Sequence, residues 1–206
     1  MKYWETIQDP KLRYAVRRAL GENRWKLFYM PSSLTGAHHP NNEHGVNGLN
    51  NHIEKVAKIC SYYSDGMGYS VEQRDILITS AYFHDLGKIK QFRAWQEIEY
   101  EKYKVKRRTT HVSRSIESKD IHPLISSELA QRYLLREGVP QKTVDIISAI
   151  ILCHMNHWYP YYPRPSTDLE KMFSMADYIA AREDLKFQDS LKTRIKGILH
   201  LDSGRR

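Results

Sequence analysis

"AYFHDLGK", residues 81–88, ends an apolar stretch with a histidine, an aspartate and, three positions further on, a lysine. Ser70 and Gln73 form a capping-box pattern ahead of "VEQRDILITSAYFHDLG" and predict a helix that runs up to this point. The helix has apolar residues on every side, which predicts that it is buried and that His84 and Asp85 leave it inside the protein. A carboxylate there must be paired or bound to a metal, because an isolated buried charge is too costly. A plainer reading also fits the stretch alone. His84 would be a satisfied core histidine, Asp85 a surface cap, and Lys88 a cation favoured by the dipole at a helix C-terminus.

The flanking sequence reads as nearly all helix. "DPKLRYAVRRALG" offers Asp9 as N-cap, Pro10 at the first helical position and Gly21 as a stop. A loop of turn formers, "PSSLTGAHHPNNEHGVNG", precedes a helix over "LNNHIEKVAKICSYYSDG". Two further helices are predicted over "HPLISSELAQRYLLREG" and "PQKTVDIISAIILCHMNHW". Thr167 with Glu170 suggests a capping box for "DLEKMFSMADYIAARED", and "DSLKTRIKGILHL" predicts a last amphipathic helix.

These helices carry polar residues where apolar ones are expected. His52 flanks the buried stripe of its helix, with Val56 and Ile59 following. His154 continues Ile147, Ile150 and Ile151 at helical spacing, and Asp177 follows Phe173 by one turn. Any one of these histidines has a bland reading as a core residue. Two aspartates at such positions, Asp85 and Asp177, with no lysine or arginine on the same apolar faces, point together to a divalent cation.

The order His52, His84-Asp85, Asp177 resembles the HD superfamily of metal-dependent phosphohydrolases. "HDLGK" is similar to the superfamily's hallmark, "GVNGLNNHIEKV" to the segment of its first histidine and "MADYIAAR" to that of its last aspartate. The likeness covers about residues 45–185. It implies an all-α, HD-type helical bundle, read here as one domain over residues 1–206 with an insertion at about 89–120. "IHPLISSELAQRYL" and "AIILCHMNHW" resemble the third- and fourth-histidine segments of the two-metal subgroup. The implied ligands are therefore His52, His84, Asp85, His122, His154 and Asp177, with Asp85 bridging two ions. His122 also reads as an ordinary first-turn residue beside Pro123, and His157 as an alternative ligand or a residue behind one.

Imidazoles and carboxylates suit Fe, Mn, Co, Ni or Zn, and the lack of cysteine ligands argues against a closed structural zinc. Two such ions would activate a water for attack on phosphorus, with Asp85 as the central catalytic carboxylate and Lys88 stabilising charge on the phosphate. The subgroup resemblance is to dinucleoside polyphosphate hydrolases. Cyclic-nucleotide phosphodiesterase and 3′ to 5′ exonuclease are the alternatives, and a non-catalytic nucleotide or nucleic-acid binding module is the reading outside enzymes.

The formal charge of +8 favours an anionic partner, namely a nucleotide, another phosphorylated small molecule or a single-stranded nucleic acid. "EIEYEKYKVKRRTTHVSRS" alternates charged with aromatic or β-branched residues and predicts a loop or β-hairpin. Its Lys104, Lys106, Arg107 and Arg108 are candidate phosphate contacts, and the solvated charge run is the plain alternative. His157 and Trp158, at the start of "HWYPYYPRP", are candidates to line a base pocket. Cys60 and Cys153 read as buried free thiols rather than a disulfide framework. The opening "MKYWETIQDPKLRYAVRR" has no apolar signal core, and no run is long enough to span a membrane, so the expectation is a cytoplasmic chain.

Overall fold

The computed structural model describes residues 2–33, 39–101, 104–114, 121–157, 160 and 162–182, with the backbone alone at 91–101, 104–114 and 157. The predicted tail helix over 189–201 and Trp158 lie outside the described residues. Among the described residues eight α-helices and one hairpin follow in order: α1 (Pro10–Glu22), α2 (Arg24–Tyr29), α3 (Gly48–Met67), α4 (Val71–Phe83), α5 (Lys88–Gln91), β1 (Phe92–Glu101), β2 (Lys104–Arg114), α6 (His122–Arg136), α7 (Gln141–Cys153) and α8 (Asp168–Ala180).

The centre of the bundle is α4. Every residue from Asp75 to Phe83 is buried, so beyond its exposed first turn this helix has no solvent face and its neighbours pack all round it. Its start is fixed by the Ser70–Gln73 capping box, in which the Ser70 hydroxyl accepts from the Gln73 amide at 3.2 Å and the Gln73 side chain accepts from the Ser70 amide at 2.9 Å. The same device opens α8 with Thr167 and Glu170. Asp9 caps α1, accepting from the amides of Lys11 and Leu12 at 2.7 and 3.0 Å.

Leu12, Ala15, Val16 and Ala19 of α1 share one hydrophobic core with Ile53 and Val56 of α3, Leu77 of α4, Leu134 of α6, Ile147 of α7 and Phe173 of α8. Full burial of each leucine or valine contributes about 1.5–3 kcal/mol. The helix does not stop at Gly21, as its sequence suggests; it runs through to Glu22, and Asn23 ends it by donating its amide to the Ala19 carbonyl at 3.2 Å. Gly21 is therefore an ordinary helical residue, and the separate turn of α2 follows at once.

The insertion is a two-stranded antiparallel hairpin, with Phe92 opposite Arg114 at its base and Glu101 opposite Lys104 at its far end. A register shift between Glu99 and Tyr100 marks a bulge. Lys104, Lys106, Arg107 and Arg108 all sit on β2 in the distal half of this ribbon, and their side chains lie outside the description.

Between α4 and α5 the chain turns tightly against the start of α6. A Cβ on Gly87 would collide with the His122 carbonyl and come within 2.9 Å of the Ser126 amide and hydroxyl. The Gly87 amide donates to Ser126 Oγ at 2.8 Å. Glycine at this position is what lets the end of α4 touch the start of α6. Gly87→Ala should cost about 1–3 kcal/mol by overpacking, which lowers Tm by roughly 2–4 °C per kcal/mol in a chain of this size. Gly66→Ala, where the new Cβ meets nothing within 4 Å, should raise Tm instead. Thermal unfolding of the two metal-free variants checks the pair, and a wild-type Tm for Gly87→Ala would refute the close contact.

Candidate metal centre

Five helices deliver six side chains to one buried cluster. His52 comes from the second turn of α3, His84 and Asp85 from the end of α4, His122 from the first residue of α6, His154 from the end of α7 and Asp177 from the last turn of α8. All six are nearly removed from solvent, Asp177 being the most accessible at 7%.

Two of the rings are aimed by the same device. His84 and His154 are the residues that close α4 and α7, where the last carbonyls of a helix lack intrahelical partners. His84 Nδ1–H donates to the Ala81 carbonyl at 2.7 Å, and His154 Nδ1–H donates to the Ile151 carbonyl at 2.6 Å. Each bond uses up an orphan acceptor, fixes the tautomer and leaves Nε2 as a lone pair directed into the cluster. Phe173 packs edge-on against His84 at 5.6 Å between centroids.

The carboxylate of Asp85 stands between two groups. Its Oδ2 lies 3.6 Å from His52 Nε2 and 3.5 Å from His84 Nε2, and Asp177 Oδ1 completes that side at 3.0 and 3.5 Å from the same two nitrogens. Its Oδ1 faces the other way, 3.2 Å from His122 Nε2 and 3.8 Å from His154 Nε2. The last two nitrogens are buried and make no well-aligned hydrogen bond among the described residues. Buried acceptors of that kind need a donor or a cation. The donor atoms of His52–His84–Asp85, of His84–His154–Asp177 and of Asp85–His122–His154 each lie within 4.8 Å of one another, close enough to hold a metal ion. The fit to a metal is good: neutral imidazoles and carboxylates converge, and no thiolate is among them.

Burial opposes charge at every member, and the partners decide the outcome. Asp85 is held well below the usual carboxylate range because the Lys88 ammonium and the His84 and His122 rings outweigh the cost of burial. Asp177 is likewise held well below it, against burial, by the hydrogen bond from His52 and by the neighbouring His84 ring. Burial pushes His154 down to about 3, and it also lowers His122, so both rings are neutral. His52 goes the other way: despite burial, bonds to Asp177 and Glu43 raise it to about 9.

Lys88 corrects the reading of Asp85 as a carboxylate with no cation near it. Its Nζ is 2.7 Å from Asp85 Oδ2 and donates to the Ser32 carbonyl at 2.8 Å. It opens α5 and is buried, so it does not serve as a solvent-exposed cation at the end of α4. Lysine and aspartate three apart, across a tight turn, meet in a way that helical face counting does not reveal. One residue of the surroundings carries no sequence signal: Glu43, whose fully buried carboxylate accepts from His52 Nδ1 at 3.2 Å and from His39 Nδ1 at 2.8 Å. It sits in a loop of turn formers nine positions before His52, where no periodicity marks an inward side chain. The side chains of His157 and of the basic residues on β2 lie outside the description.

A family model described as the HD domain matches residues 50–182, more than half of the 206 residues. The chain belongs to the HD domain family. This HD protein is a metal-dependent phosphohydrolase with a buried His/Asp metal site, and its substrate carries phosphate. No curated protein and no solved structure matches the chain. Among the described residues of this HD chain no helix is long and apolar enough to cross a membrane.

An HD site that holds metal must be stabilised by it. A ligand at 100 times its Kd adds about 2.7 kcal/mol, equivalent to a rise in Tm of roughly 2–4 °C per kcal/mol. Mn, Co, Ni, Fe or Zn added to metal-stripped protein should therefore raise Tm by several degrees in a scanning-fluorimetry titration. Absence of any rise with all five would exclude a functioning metal centre.

Proposed function

We propose that the chain hydrolyses a phosphoester or phosphoanhydride bond of a nucleotide, with two divalent transition-metal ions (Fe, Mn, Co, Ni or Zn) held by His52, His84, Asp85, His122, His154 and Asp177. The observation that carries this reading is the opposed aim of the two Asp85 oxygens, Oδ2 toward His52 and His84 and Oδ1 toward His122 and His154. Bound there, the ions would supply an activated water at neutral pH and charge for the phosphoryl oxygens.

The protein's own groups do the rest. With the ions bound, the four Nε2 atoms and two carboxylates would set where the phosphate lies. Lys88 neutralises Asp85 before substrate arrives and is near enough to follow the phosphate, where an ammonium stabilises developing charge. Apolar walls at Phe173 and Ile151 keep bulk water from the rings. His157 and Trp158 come three and four residues after His154 and are proposed to line the base side of the pocket.

Within nucleotides the reading favoured is a dinucleoside polyphosphate, an elongated anion. The hairpin supports it: Arg108 pairs with Ile98, six residues from the base of the ribbon, or about 20 Å at 3.3 Å per residue. Lys104, Lys106, Arg107 and Arg108 would thus meet phosphates far from the reacting one. The same placement and the charge of +8 favour a second reading, a 3′ to 5′ exonuclease on single strands. A cyclic-nucleotide phosphodiesterase would make no use of the distal cations.

Asp85→Ala should abolish hydrolysis and empty both sites while the bundle stays folded, whereas His122→Ala and His154→Ala should each lower the content toward one ion. Metal analysis of the purified variants, with a screen of mononucleotides, dinucleoside polyphosphates, cyclic nucleotides and short oligonucleotides, checks both statements. Full turnover and metal content in Asp85→Ala would end the proposal.

The hairpin separates the two substrates. Neutralising Lys104, Lys106, Arg107 and Arg108 together should raise KM for a dinucleoside polyphosphate, with modest salt dependence. A strand substrate would instead show affinity falling with salt at about −0.7 in logarithmic slope per phosphate neutralised. Preference for oligonucleotides, with a slope of several units that the variant loses, would establish the exonuclease.

A further inference from the structure

Glu43 supplies no atom to the cluster around Asp85, yet its surroundings are built as closely as those of a ligand. It lies in the loop between α2 and α3, and its carboxylate is fully buried. Three donors surround it: His39 Nδ1 and His52 Nδ1 both reach Oε2, at 2.8 and 3.2 Å, and Lys55 Nζ is 3.5 Å from Oε1. Its backbone is fixed as well. The Glu43 carbonyl accepts from the amide and the hydroxyl of Ser32 at 3.0 and 2.9 Å. Gly48 opens α3 without a side chain, and a Cβ there would collide with that same carbonyl. The loop therefore reaches His52 through Glu43 and Lys88 through the Ser32 carbonyl, at 2.8 Å.

We propose that Glu43 is a positioning residue for one of the two metal sites. It keeps a proton on His52 Nδ1, so that Nε2, which faces Asp85 and Asp177, is the nitrogen offered to the ion, and it does not touch substrate. The inference rests on the two-ion reading above. A carboxylate behind a metal-binding imidazole orients the ring and raises its basicity, and its loss typically weakens metal binding by roughly 10–100-fold. The effect falls on one side only, because His122 and His154 have no contact with Glu43, and His154 is aimed by the Ile151 carbonyl instead. His39 shares the same oxygen, and its removal should leave the Glu43–His52 bond intact. The His39–Glu43–His52 donors also lie close enough together to hold a third ion. The hydrogen-bond distances within that trio favour the positioning role.

The test titrates metal-stripped wild type, Glu43→Gln and His39→Ala with zinc alone, by calorimetry and by metal content after dialysis. Glu43→Gln should weaken one class of zinc by roughly 10–100-fold and leave the other unchanged, and His39→Ala should leave both. In zinc-loaded wild type, long-range ¹H–¹⁵N spectra should show His52 protonated at Nδ1 with zinc on Nε2, a readout that does not depend on how the variants fold. Wild-type binding of both ions by Glu43→Gln would overturn the proposal. So would equal weakening of both classes, an equal loss in His39→Ala, or a third ion that Glu43→Gln loses. A wild type that takes up no zinc, nor Mn, Co, Ni or Fe, would bring down the two-ion reading itself, which distinguishes that failure from a failure confined to Glu43.

Discussion

Two carboxylates taken out of water, Asp85 and Asp177, constrain every element around them. An ion buried without a partner costs several kcal/mol even after the protein relaxes, so the bundle must bring compensating groups to one place. It does so by making helices begin and end there. The ends of α4 and α7 and the start of α6 converge on Asp85, while α3 and α8 pass alongside and contribute from their flanks. Helix ends have a second use, because their unpaired carbonyls hold the Nδ1–H of His84 and His154 and so aim the opposite nitrogens inward. The backbone's unsatisfied groups and the cluster's need for oriented imidazoles are met by the same bonds.

Much of this arrangement is legible in the chain, and what is legible is local. Capping residues and apolar spacing place the starts of α1, α4 and α8 at the residues that cap them, because the signal and the structure involve the same four or five positions. His52, His154 and Asp177 stand out as polar side chains on faces that should be apolar, and His84 and Asp85 as polar residues ending an apolar helix, whereas His122 is marked only by the resemblance of its segment. Gly21 misleads for a related reason: glycine ends a helix only where a left-handed residue is needed, and Gly21 has no positive φ, unlike Gly68 and Gly138. Glu43 and the pairing of Lys88 with Asp85 are invisible to spacing because each involves a turn or loop, where the direction of a side chain is set by tertiary contacts rather than by period.

Lys88 also explains how the cluster can exist before any ion arrives. Asp85 is shared among four imidazoles and one ammonium, and the ammonium is the nearest partner at 2.7 Å. Its other bond, to the Ser32 carbonyl, keeps it in place should the carboxylate turn its oxygens toward metal. A cation of this kind lowers the cost of the metal-free state without closing either side of Asp85, since it sits on Oδ2 while Oδ1 remains with His122 and His154.

The position of the hairpin relative to this centre limits what its charge can do. Its first strand leaves directly from α5, so the ribbon begins at Phe92, one turn of chain past Lys88, and its base pair is Phe92 with Arg114. Basic residues at the base and at the far end are therefore separated along the strands by much more than the length of one phosphate group. A compact substrate would meet only the cations near the base, whereas a chain of phosphates can use both. On the proposed reading, the net positive charge of the molecule would act on substrate length as well as on substrate sign, and length is the property by which a polyphosphate-linked dinucleotide or a strand differs from a single nucleotide.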